Sequence, residues 1–124
     1  MIQLDTSFLI RALVPDSSES KKLRGWLEER ENVGISALAW AEFQCGPVSA
    51  PIIALAERVL GEPMPFASAQ AAFSAKLFNE TGRRRGTFVD CMIAATAIVA
   101  EESLATSNPK DFARFEKLGL VLAA

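Results

Sequence analysis

The chain holds 124 residues, half of them apolar and 23% charged, with a formal net charge of −2 and no histidine. This length suits one hydrophobic core, so residues 1–124 are expected to form one domain of globular rather than disordered composition. The missing histidine excludes Ser-His-Asp and Cys-His triads and His-ligated zinc, and the slight negative charge means that nucleic-acid binding would need a local basic patch.

In chain order, Met1, Ile2 and Leu4 begin a short buried strand, 2–5, and Asp5 stands where it hands over to an apolar helix at 6–13. Asp5 has two readings: a helix cap, or a functional carboxylate at the carboxyl end of a first parallel strand. Asp16 with Glu19 forms a capping-box pattern that opens a helix over 17–30. A strand at 33–36 ends on Ser36, which caps the helix 37–45. A helix over 50–60, a short strand at 64–66 and a helix over 68–82 follow. The polar stretch 79-NETGRRRG-86 is expected to be a surface loop. Thr87 and Asp90 fit a capping pattern for a helix over 88–102 that is apolar nearly all round and therefore central. A strand at 104–107, a helix over 109–116 opened by Asn108 and Pro109, and a strand at 120–122 complete the chain. Strand–helix alternation of this kind predicts an α/β fold with a parallel sheet covered on both faces.

No apolar stretch reaches transmembrane length and the first residues lack the layout of a signal peptide, so a cytoplasmic protein is expected. Cys45 and Cys91 lie in apolar segments and are expected to be buried free thiols. Neither a GxGxxG nor a GxxxxGK[ST] motif occurs, which removes the main support for dinucleotide and P-loop readings.

The candidate chemistry lies in carboxylates. Glu42 is the only charged residue between Asn32 and Glu57, within ALAWAEFQCG, where a lone carboxylate needs a partner or an ion if it is buried. Asp90 and Asp111 each have an adequate local explanation as helix-start acids, and Asn108 as a cap. Yet a parallel sheet would bring Asp5, Glu42, Asp90 and the 106-TSNPKDF-112 segment to one edge. Clustered carboxylates repel unless protons or cations neutralise them, and oxygen-only ligands select Mg²⁺ or Mn²⁺. Such an ion would lower the pKa of a bound water, supplying the nucleophile that a histidine-free chain otherwise lacks. Arg83, Arg84 and Arg85, flanked by Gly82 and Gly86, are either a solvated loop or a phosphate clamp, with Lys110 on the other rim. A receiver-type domain or a dehalogenase-type phosphatase fits poorly, because the acidic pair or Asp-x-Asp that each requires after the first strand is absent.

LDTSFLI, the Glu within SALAWAEF, VDCMIAATA and TSNPKDF resemble, in the same order, the PIN domain and more specifically the VapC toxins of toxin–antitoxin modules. The DCMIAATA stretch is the most specific piece. This resemblance implies a three-layer α/β/α sandwich around a mostly parallel sheet of 4–5 strands. It also implies a Mg²⁺- or Mn²⁺-dependent endoribonuclease, a homodimer, and inhibition by a VapB-type antitoxin. Asp5, Glu42 and Asp90 match the family's principal acidic positions, which would make them the metal ligands. The fourth acidic position falls on Asp111 or is taken by Asn108, and Thr6, Ser7 and Thr106 would hold carboxylates or water. The alternative is a PIN-fold RNA- or protein-binding module with little or no catalysis.

Overall fold

The computed structural model describes residues 1–123. Its centre is a parallel sheet in the order β2-β1-β3, formed by β1 (Ile2–Leu4), β2 (Val33–Ile35) and β3 (Ser103–Ala105). Leu4 pairs with Ile35 on one side and Ala105 on the other, so three strands end at the same edge. Leu4, Ile35, Leu104 and Ala105 are almost completely buried, as strands covered on both faces require.

Helices α1 (Thr6–Ala12) and α2 (Ser18–Glu28) connect β1 to β2. The longer connection from β2 to β3 holds α3 (Ala37–Cys45), α4 (Ala50–Leu60), α5 (Ser68–Glu80) and α6 (Phe88–Val99). It runs across the sheet in the opposite direction to the first connection. Two right-handed crossovers of opposite direction place their helices on opposite faces, which gives the expected sandwich. Helix α6 packs against α3, α5 and β3, and Ala94, Ala95 and Ala97 are wholly buried, so their small side chains let it lie close to its neighbours. Its apolar circumference follows from this central position. After β3 come a short helix, α7 (Pro109–Phe112), and a 3₁₀ turn over Ala113–Leu118.

The outer strands are shorter than the apolar runs at 64–66 and 120–122 suggest. Each contributes a single parallel bridge, Ser36 with Met64 and Leu104 with Leu122. Pro63 and Pro65 flank Met64 and have no backbone N–H, so only Met64 can both donate to Ile35 and accept from Ala37. Several termini also differ from expectation. Ser17, not Asp16, caps α2, accepting from the Ser20 N–H, while Asp16 adopts a positive φ of 63° in the preceding turn. Thr87 makes no side-chain cap for α6; its hydroxyl donates instead to the Arg84 carbonyl. Asn108 stands at the cap position of α7 without a side-chain cap bond, and the helix expected over 109–116 splits into α7 and the 3₁₀ turn. Cys91 is a buried free thiol, as expected, but Cys45 is exposed, because in the last turn of α3 it is Phe43 that faces the core. Among the described residues, no helix is long and apolar enough to cross a membrane.

The sheet centre should dominate stability. Replacing fully buried Leu104 by Ala should cost about 2–5 kcal/mol in urea unfolding, the usual range for a large-to-small core change. Val121→Ala, at a residue 62% exposed, should stay within about 0.5 kcal/mol. Equal costs at the two positions would show that the core is not centred on β3.

Candidate active site

Asp5 is the first residue beyond the central strand and the N-cap of α1. Its Oδ1 accepts from the Phe8 N–H and the Ser7 hydroxyl, each at 2.8 Å, and its Oδ2 accepts from the Thr106 hydroxyl at 2.6 Å. Its backbone N–H donates to Ala105 at the end of β3. The capping reading of Asp5 is therefore true, but a cap uses only part of the carboxylate. With roughly two lone-pair sites per oxygen, Oδ1 is filled and Oδ2 keeps one site free. Burial pushes the Asp5 pKa up, while the Thr106, Phe8 and Ser7 donors pull it back.

Asp5 lines a cavity of about 260 Å³ together with Thr6, Ser7, Glu42, Asp90, Asn108 and Asp111. Four elements supply the carboxylates: the β1–α1 junction, α3, the first turn of α6, and α7. Glu42 is exposed rather than buried, so it does not carry the desolvation cost that its apolar sequence neighbours suggest. The Thr6 hydroxyl, which lies 3.1 Å from the Ala39 carbonyl, also reaches Glu42 Oε1 at 3.0 Å and ties α1 to α3. Asp90 shows the electrostatic consequence most clearly. Its pKa is pushed up to about 6, first by burial and then by the negative charge of Asp111, with smaller contributions from Glu42 and Asp5.

Arg114 opposes that shift. Its Nη1 donates to the Asp111 carbonyl, and its guanidinium lies 4.4 Å from the centre of the Phe115 ring. Arg114 Nε and Nη2 are buried without a partner. Nothing in the local pattern of ARFEKL distinguishes this arginine; only the fold places it near Asp90. Glu19 is a second residue that sequence reasoning assigned elsewhere. Instead of closing a capping box it accepts from Ser107 Oγ at 2.7 Å, Arg11 Nε at 3.1 Å and Ser18 Oγ at 2.9 Å.

None of the expected cations Arg83, Arg84, Arg85 and Lys110 lines the cavity, although Lys110 adjoins Asp111 in α7. Arg83 is engaged locally, donating to Asn79 Oδ1 with its guanidinium 5.3 Å from the Phe78 ring centre. Arg84 and Arg85 are exposed on a turn whose glycines, Gly82 and Gly86, take φ values of 90° and 82°.

Among the described residues, no three carboxylates converge closely enough to enclose an ion as placed. The donor set nevertheless fits a hard cation. It is all oxygen, the Glu42 and Asp111 side chains are exposed, and the negative charge of Asp111, Glu42 and Asp5 adds to burial in raising the Asp90 pKa, with Arg114 opposing it.

The sequence matches the PIN domain family model over residues 2–118. The chain belongs to the PIN domain family. No curated protein matches it by sequence, but solved structures with the same fold span nearly its whole length. This PIN chain is similar to VapBC2 from Rickettsia felis, solved bound to a promoter DNA fragment, with a TM-score of 0.79 at 23% identity, covering 99% of this chain and 98% of that one. It is also similar to FitAcB from Neisseria gonorrhoeae, with a TM-score of 0.72 at 26% identity, covering 99% and 97% of the two chains. VapBC-1 from nontypeable Haemophilus influenzae gives the same TM-score and coverage at 20% identity.

The Asp90 shift has a definite sign in this PIN domain. Its folded pKa of about 6 lies above the ordinary 3.8, so the folded state binds more protons between these values and loses stability as pH rises through them. In chelator, Asp90→Asn should therefore unfold at higher denaturant than the parent at pH 8, by on the order of 1–3 kcal/mol. The advantage should shrink towards zero near pH 3.5. A difference independent of pH would show that Asp90 is not perturbed by its neighbours.

Proposed function

We propose that this chain is a VapC-type toxin, an endoribonuclease that hydrolyses RNA phosphodiester bonds with Mg²⁺ or Mn²⁺ bound at its carboxylate cavity. The observation that carries this reading is the gathering of Asp5, Glu42, Asp90 and Asp111, from four separate elements, on one cavity of a PIN fold. A bound divalent ion would supply a water of lowered pKa and shield charge on the phosphoryl group. Asp5, Glu42 and Asp90 are the residues that would hold it. Ser7 and Thr106 fix the Asp5 carboxylate, and Thr6 orients Glu42. Asp111, exposed on the rim, can take a proton at its carboxylate from the attacking water, and Asn108 beside it can hydrogen-bond water or phosphate. Arg84 and Arg85, with Arg83 and Lys110, would bind the RNA backbone outside the cavity itself. The resemblance to VapBC complexes supports a VapB-type antitoxin as partner, and the same family reading supports a cytoplasmic homodimer.

A second reading has one observation in its favour: the carboxylates do not converge as placed, as in a PIN module that binds RNA or protein without cleaving it. The two readings separate at Asp5. Asn caps a helix about as well as Asp, so Asp5→Asn should fold normally. Its RNA cleavage should fall at least roughly 100-fold, and the rise in melting temperature that Mn²⁺ gives the parent should shrink or vanish. Cleavage and a metal-induced shift equal to the parent's would leave Asp5 a cap alone.

The basic loop has its own test. Arg84→Gln with Arg85→Gln should weaken RNA binding and flatten its log–log salt dependence by roughly 0.7 per lost phosphate contact. Metal binding should be unaffected. An unchanged salt slope would return the loop to plain solvation.

A further inference from the structure

We infer that Glu19 is a positioning residue for the carboxylate site, acting through Ser107 on the corner between β3 and α7. This inference rests on the nuclease reading and adds to it a residue that lies outside the cavity. Glu19 is buried near the start of α2, an element that contributes nothing to the cavity lining. Its carboxylate nonetheless receives the Ser107 hydroxyl at 2.7 Å, the shortest of its three bonds. The backbone N–H of Ser107 in turn donates to Ser7 Oγ at 3.2 Å.

The chain of bonds then reaches Asp5 by two routes. Ser7 Oγ accepts from Ser107 and donates its only proton to Asp5 Oδ1, so its direction is fixed from both sides. Thr106, the neighbour of Ser107, accepts from the Asn108 N–H and donates to Asp5 Oδ2. Both hydroxyls that orient Asp5 therefore depend on where the corner 106–108 sits, and Glu19 is the anion that holds the middle of that corner. A corner released from Glu19 lets Thr106 turn away from Oδ2, the oxygen with the one free lone pair. The Ser107 hydroxyl does most to hold the Glu19 pKa down at about 2, against the effect of burial, so Glu19 remains a charged acceptor throughout the neutral range.

Arg11 supplies an internal control. It pairs with the same oxygen of Glu19 at 3.1 Å, but its side chain is 62% exposed and it makes no bond to the corner. Loss of an exposed ion pair should do little to the site.

The test is Mn²⁺ affinity by calorimetry on purified full-length protein, at a temperature where melts in chelator show each variant fully folded. Glu19→Gln and Ser107→Ala should each weaken Mn²⁺ binding about 10-fold, the usual scale for partners that orient metal-binding carboxylates. The double variant should be no weaker than the worse single one, because both changes cut the same path. Arg11→Ala should bind Mn²⁺ like the parent. Parent-like affinity in folded Ser107→Ala overturns the inference even if Glu19→Gln fails to fold, and so does an equal loss in Arg11→Ala. A lowered melting temperature with unchanged affinity overturns it too, by reducing Glu19 to a structural support. Failure of the parent itself to bind Mn²⁺ overturns the nuclease reading and this inference together, whereas parent binding with unaffected variants overturns the inference alone.

Discussion

The Asp5 carboxylate joins three parts of the chain that are far apart in sequence. It ends the central strand, caps α1 through the Phe8 N–H, and receives the Thr106 hydroxyl from beyond β3. A buried carboxylate is tolerated only when its lone pairs are used, and here the fold uses all but one. The same bonds that make Asp5 affordable inside the protein also fix its direction. Structure and site therefore depend on one group, and the remaining lone pair is what Asp5 has left to offer a ligand.

Around this satisfied carboxylate the other acids are less settled. Glu42 and Asp111 are exposed, and Asp90 is half-buried under the repulsion of Asp111. Arg114 compensates part of that negative charge from the side of the 3₁₀ turn. A fold optimised for stability alone would separate these charges or pair each with a cation. The parallel sheet does the opposite, because three strands ending in register and the helices that leave them bring their first residues to one edge. The result is an acidic cavity whose negative charge Arg114 offsets only in part.

Support for the site extends well behind it. Glu19 in α2 and Ser107 after β3 form a part-buried contact that ties the corner to α2, the Ser107 N–H ties it to Ser7 of α1, and Thr6 ties α1 to α3. These links cross between segments separated by 33 to 88 positions. Rigidity of the acidic edge thus comes from hydroxyl–carboxylate bonds between loops, and the apolar core supplies the frame on which those loops sit.

The sequence by itself determined the strand–helix order, the central place of the DCMIAATA helix, the Ser36 cap and the acidic edge, because each is written in local periodicity and in one-residue signals. It misjudged features that depend on competition for partners. Asp16 with Glu19 reads as a capping box, but Ser107 and Arg11, distant in sequence, claim the Glu19 carboxylate and leave the cap to Ser17. Cys45 reads as buried because its neighbours are apolar, yet it is exposed, as Glu42 is on the same helix. The run of three arginines is visible in the chain, but its absence from the cavity lining is not, and neither is the single Arg114 whose charge acts on Asp90. Local pattern records which face and which turn a residue prefers. Only the tertiary structure decides which carboxylate meets which hydroxyl or cation, because those pairings are made between segments whose spacing in sequence carries no periodic signal.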